Sequence, residues 1–135
     1  MMTFFSDLTS FLKEREGREE MAPFVIPLAA AAGDLEKATM WFMQNAMAKP
    51  DNAGAGSTDY MHLMGLVVLG YMWAQMAETA LEKQASPNGV DKSFLDRKLT
   101  LARFFMERLL PETKMRLARI EASAETMMSL PAEAF

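Results

Sequence analysis

From Met61 to Ala74 the only polar side chain is His62, so a helix over this stretch is apolar on almost every face. Such a helix needs neighbours on all sides, and the pattern predicts a central helix over about 57–84. Gly65 and Gly70 stand five residues apart, on different sides of that helix, where each lets a separate partner approach the backbone. Before it, Phe4, Leu8, Phe11 and Leu12 recur at spacings of three and four, predicting an amphipathic helix over 3–16 with Ser6 or Asp7 as cap. The polar run KEREGREE reads as a solvated final turn and a linker broken at Gly17. Pro23 suits a first helical turn, so a second helix is expected to start there and to bend or restart at Gly33. Asp34 then caps a segment with two stripes, Leu35, Ala38, Phe42 and Ala46, and Met40, Met43 and Met47, both expected to be buried.

Pro50, Asn52, Gly54 and Gly56 predict a loop, after which Ser57 or Thr58 caps the central helix with Asp59 in its first turn. Its AGAGST run lacks the lysine and the glycine spacing of a phosphate cradle, and no strand precedes it. Beyond the central helix, a turn over SPNGVD leads into a helix with Ser93 and Asp96 as a capping box and Leu95, Leu99, Ala102, Met106 and Leu109 at helical spacing. Pro111 stops it and opens a last helix, whose inner stripe is Leu117, Ile120, Ala124 and Met127. Pro131 and AEAF close the chain. With no strand pattern and no repeat of 20 to 50 residues, the expected fold is all-α: an up-and-down antiparallel bundle of four to five helices, one domain over 1–135.

Composition narrows the function classes. The chain has 135 residues, no cysteine and one histidine. Disulfides and thiolate chemistry are excluded, and the cysteine usage agrees with a reducing, cytoplasmic setting. A net charge of −4 hides an asymmetry: residues 91–119 hold eight Lys or Arg against four Asp or Glu, leaving −8 for the rest. Two solvated basic helices facing a more acidic partner surface account for that, and no stripe suggests a nucleic-acid partner. The central apolar run is shorter than the roughly 18 residues of a membrane span. At the N-terminus, the absence of an early positive charge and of a small-residue cleavage site argues against a secretory signal. Fourteen methionines read first as pliable filler between helices, and second as a Met-lined groove for a partner helix.

Candidate chemistry is sparse. Asp59 and His62 stand at i and i+3, half of a carboxylate-bridged di-metal site, but a bundle of that kind needs a second such pair. One histidine with no cysteine also leaves serine or cysteine nucleophile systems without their base and zinc without enough nitrogen or sulfur ligands. The pairs Glu121 and Glu125, and Glu78 and Glu82, read as solvated helix surface. Trp41, Tyr60, Tyr71 and Trp73 read as packing anchors, since a flavin or nucleotide site would need a Gly-rich turn after a strand. No catalytic, cofactor-binding or metal-binding residue is assigned.

Three stretches taken together, DYMHLMGLVVLGYMWAQMA at 59–77, SFLDRKLTLARFFMERLLPE at 93–112 and MMSLPAEAF at 127–135, resemble the accessory C-terminal domain of a subgroup of acyl-CoA dehydrogenases. In that subgroup the domain follows the catalytic module of larger bacterial enzymes, including those resembling the methylmercaptopropionyl-CoA dehydrogenases, and the likeness runs from about Phe4 to Phe135. In the family, a carboxylate base takes the α-proton of an acyl-CoA while FAD accepts the β-hydride, and those parts precede this domain. The resemblance implies a noncatalytic fragment or separately encoded relative, with the catalytic core as its partner, FAD in the parent enzyme and none in this chain. An exposed apolar patch covered by self-association into a homo-oligomer is expected. The alternatives are a stand-alone module taking a partner helix in its Met-rich groove, and a metal-dependent oxidase at Asp59 and His62.

Overall fold

The computed structural model describes residues 2–86 and 89–134. Five α-helices follow in order: α1 (Met2–Glu14), α2 (Ala22–Asn45), α3 (Pro50–Ala85), α4 (Lys92–Phe104) and α5 (Glu112–Glu121). Short 3₁₀ turns occupy Glu19–Met21 and Ala132–Ala134, and a π-helical turn, Phe105–Leu109, continues α4. There is no strand among the described residues. The fold is all-α, as the periodicity predicts, and α3 is its hub, packing against α2, α4 and α5.

At 36 residues, α3 is about 54 Å long, longer than predicted because the expected loop at 50–56 is helical. Pro50 sits in the first turn, where its missing N–H costs nothing. Gly56 is there for space: a Cβ at that position would come within 2.7 Å of the Phe42 ring. Ser57 and Thr58 are therefore mid-helix residues and cap nothing. Likewise α2 runs unbroken through Pro27 and Gly33, so Asp34 lies inside the helix rather than at a cap. Ser6 and Asp7 lie inside α1 for the same reason, since that helix begins earlier than its capping pattern suggests.

Two further boundaries move. The cap of α4 is Asp91, whose Oδ1 accepts from the Ser93 N–H at 3.0 Å, and Ser93 donates its hydroxyl to Asp91 Oδ2. A carboxylate two residues upstream replaces the Ser93–Asp96 box. Of the turn predicted over 86–91, Pro87 and Asn88 lie outside the described residues, as does Phe135 at the tail. In the π turn the Leu110 N–H reaches back five residues to the Phe105 carbonyl at 2.9 Å. That extra residue advances the inner face by one position, so Leu110 is buried and Leu109 is 43% exposed.

The core is a single cluster built on Leu8, Phe24, Leu28, Leu35, Leu63, Val67, Met106 and Ile120. Gly70 lets α3 approach closely, with Leu28 and Leu110 each 3.2 Å from where its Cβ would stand. The predicted second role for a glycine does not hold: nothing lies within 4 Å of a Cβ at Gly65. α3 is central without being wrapped, for Met61, Leu69, Met72 and Met76 face solvent. Met40, Met43 and Met47 are exposed too, since α2 buries the face that carries Phe24, Leu28, Ala31, Leu35 and Ala38. Beyond Glu121 the backbone turns through Ser123 at φ 62°, so Ala124 is buried and Met127 is carried outward to 69% exposure. No helix of the described residues is long and apolar enough to cross a membrane.

Candidate functional site

Asp59 and His62, adjacent on α3, have different surroundings. The Asp59 carboxylate accepts from Arg116 Nη1 at 2.6 Å and has Arg119 at 3.7 Å, while His62 is exposed. Arg116 also holds Glu112 at 2.6 Å, and the Asp59 hydrogen bond, followed by that to Glu112, raises its pKa. The Asp59 carboxylate of α3 thus holds two guanidiniums of α5, one of them braced by Glu112 within α5. Among the described residues no three His, Asp or Glu converge on a point where a cation could sit.

Glu78 departs from its reading as a solvated residue. Its side chain is 12% exposed and clasped by Arg15 at 2.9 Å and Arg18 at 2.7 Å, both from the KEREGREE run expected to be solvent-facing linker. Burial pushes the Glu78 carboxyl up, but the hydrogen bonds and charges of the two arginines outweigh it and hold the carboxyl below its ordinary value. Arg15 in turn lies 3.9 Å over the Phe11 ring, and Gly17, at φ 80°, turns the chain between the two arginines. α1 is thereby tied to α3 by one carboxylate, two cations and the edge-on contacts of Phe11 and Phe4 with Tyr71. Glu82, Glu121 and Glu125 are exposed, as expected.

Buried polar groups elsewhere are structural ties. Asn52, 6% exposed, donates to the Asn45 carbonyl at 3.3 Å and accepts from the Ala124 N–H at 3.0 Å, joining the ends of α2 and α5 to the start of α3. Asp34 accepts from the Thr113 hydroxyl at 2.8 Å across the core. Every fully buried side-chain nitrogen or oxygen among the described residues has a partner. These pairings hold the helices to one another, as buried polar groups generally do. The four aromatic residues read as anchors do pack as anchors: Tyr60 on Phe42, Trp41 on Phe42, Tyr71 on Phe11, and Trp73 stacked on Phe105 at 6.4 Å.

What remains for function is the surface. A groove of about 730 Å³ opens between α1 and α2, with Val25, Ile26, Ala29 and Gly33 on one wall and Phe5 and Leu12 on the other. Its edge mixes Lys13 and Arg18 with Glu16, Glu19 and Glu36. A second groove, about 300 Å³, lies between α3 and α4 under Met72, Met76 and Phe94, and the only charges lining it are Lys83 and Lys98. Most methionines are therefore outside: Met21 and Met106 are in the core, whereas Met40, Met43, Met47, Met61, Met72, Met76, Met115, Met127 and Met128 are exposed. The interior-filler reading fails for these nine, which lie on faces that the described helices leave open or, at Met72 and Met76, cover only in part.

The polar clasps were invisible to local pattern, since Arg15 and Glu78 are 63 residues apart and Asn52 and Ala124 are 72 apart. The signal that could have found the outer face was the α3 pattern itself, apolar on more sides than a chain of this length has helices to cover. No curated protein matches the sequence. Residues 4–131 match the family described as acetyl-CoA dehydrogenase C-terminal like, and with the match spanning nearly the whole all-helical chain, this protein belongs to that family.

Proposed function

We propose that this chain is a noncatalytic helical domain that docks on the FAD-binding catalytic core of an acyl-CoA dehydrogenase and supports its subunit assembly. The observation that carries the proposal is the family match over residues 4–131, which concerns the C-terminal part of such enzymes. Three features of the chain support it. Its buried polar groups are already paired, its charged clusters serve helix contacts, and its apolar surplus is directed outward. Oxidation of the acyl-CoA to the enoyl-CoA, with FAD as hydride acceptor, belongs in this reading to the core.

The residues present do not fit a flavin dinucleotide. The larger groove sets Glu16, Glu19 and Glu36 against only Lys13 and Arg18 at its edge, which gives a pyrophosphate no net positive cradle, and the smaller one, at about 300 Å³, is too small for an isoalloxazine ring beside an adenosine. Mixing the purified chain with a flavin-loaded acyl-CoA dehydrogenase core that lacks its C-terminal helical domain tests the proposal by sedimentation. Co-sedimentation of the two, with no flavin retained by the chain alone, is the expected result. A chain that itself holds FAD and turns over an acyl-CoA, or that ignores the core at micromolar concentrations, would refute it.

A second reading is favoured by the Met-lined groove of α3 and α4: a stand-alone module that binds a partner helix. Both readings place the working surface on the same side of α3. They differ in whether the partner belongs to a dehydrogenase.

A further inference from the structure

The outer stripe of α3 is Met61, Gly65, Leu69, Met72 and Met76, at spacings of four, four, three and four, so all five lie on one helical face. It extends over about 22 Å, the length of four turns. Along its lower half runs α4, whose Phe94 and Lys98 share a groove with Met72 and Met76, and whose Leu101 continues the Phe94–Lys98 row. Met61, Leu69, Met72, Met76, Phe94 and Leu101 are each between 40% and 63% exposed. Together they leave on the order of 600 Å² of apolar surface, the upper end of what a monomer ordinarily shows and most of the ~800 Å² per partner of a standard interface.

Gly65 adds an independent mark. A glycine inside a helix costs roughly 0.5–1 kcal/mol relative to alanine, and among the described residues nothing comes within 4 Å of where its Cβ would stand. Flat backbone between Met61 and Leu69 is what a second helix needs to come close. The charges then choose between occupants. The groove is lined by Lys83 and Lys98 and by no carboxylate, with the Lys98 ammonium 5.5 Å over the Phe94 ring and Arg97 and Arg103 exposed on the same helix. Two copies pairing through this face would bring four lysines together across a drying interface. The α1–α2 groove is larger, but its mixed edge favours no single partner charge.

We infer that the α3–α4 face is the docking surface, and that its occupant is an amphipathic helix whose apolar side enters between Met72, Met76 and Phe94 while acidic residues along its borders meet Lys83 and Lys98. On the proposed function, on which this assignment rests for the partner's identity, that helix belongs to the dehydrogenase core.

The probe is a pair of synthetic amphipathic helices of about 20 residues, with leucines on one face and either glutamates or lysines along both borders. Each is titrated into the chain carrying 13C-labelled methionine methyls and followed by NMR. The Glu-bordered peptide is expected to bind, moving the Met61, Met72 and Met76 signals and leaving Met21 and Met106 in place, with the Lys-bordered peptide at least tenfold weaker. K83E with K98E should reverse that preference, and Gly65→Leu should weaken both peptides while circular dichroism and thermal melting show an intact fold. Equal binding of both peptides, no binding, or shifts confined to the α1–α2 side would overturn the inference. So would a dimer of the free chain that Met72→Lys dissociates. Should the core bind but both peptides fail, the surface assignment falls and the functional proposal stands; peptide binding without core binding supports the surface assignment and removes the dehydrogenase from it.

Discussion

Two of the four glycines of α3, Gly65 and Gly70, mark two apolar faces with opposite fates. On the inner side Leu63, Val67, Gly70 and Ala74 are fully buried, with Leu28 and Leu110 pressed against the glycine. On the outer side Leu69 is 51% exposed and Gly65 touches nothing. The residue types are nearly the same on both faces. What differs is supply: α2, α5 and the π turn close one side, α4 reaches only part of the other, and α1 is committed elsewhere by its clasp to Glu78. Apolar character therefore states that a face must be covered, and leaves open by which molecule.

The sharpest way to break this contrast is a matched pair of truncations. Leu63→Ala should lower the unfolding free energy of the isolated chain by about 2–5 kcal/mol, since it opens a cavity in the closed core. Leu69→Ala should stay within about 0.5 kcal/mol, as a half-exposed site has little packing to lose. Urea titrations of both variants give the two numbers side by side, and similar losses would erase the distinction between the faces. Next in size is Asn52→Ala, expected to cost about 1–3 kcal/mol because it strands the buried Ala124 N–H. Hydrogen exchange at Ala124 should accelerate in step with that loss.

A smaller and pH-dependent effect belongs to the Glu78 clasp. Its carboxyl is held below the ordinary value of 4.5, so its contribution is present above that pH and disappears as the pH falls through the lower folded value. Glu78→Gln should raise amide exchange in α1 on the order of fivefold at neutral pH while leaving α3 protected, and should flatten the acid limb of the melting profile below about pH 4.5. An unchanged α1 would mean that Phe11 and Tyr71 alone hold it. Least in magnitude and opposite in sign, Gly65→Ala should stabilise the isolated chain by roughly 0.5–1 kcal/mol, because it gains helix propensity in open space. A loss of stability there would reveal a contact on the outer face that the fold does not contain.

Much of this molecule was readable from spacing. The inner stripes through Leu8 and Phe11, Leu35 and Ala38, and Leu117 and Ile120 follow the 3.6-residue period and are buried where the pattern puts them. Misreadings arose where one residue type serves two purposes. Pro50 and Gly56 read as breakers, yet the first suits a helical start and the second makes room for Phe42. Asp34 and Asn52 read as cap and loop, although each completes a tie to a residue more than 70 positions away. Leu109 lost its inward place to Leu110 through a π turn that no local pattern announces. As for function, the outer face of α3 was mistaken for core. Periodicity reports apolar faces and does not count the helices available to cover them.

The 14 methionines offer the most direct examination of the central claim, that the uncovered side of α3 exists for another molecule. With their methyls labelled, the chain is titrated with a flavin-loaded acyl-CoA dehydrogenase core lacking its own helical C-terminal domain. The account requires Met61, Met72 and Met76 to shift or broaden together while Met21 and Met106, sealed in the core, stay where they are. Perturbation limited to Met40, Met43 and Met47, to Met127 and Met128, or to no methionine at all would contradict it.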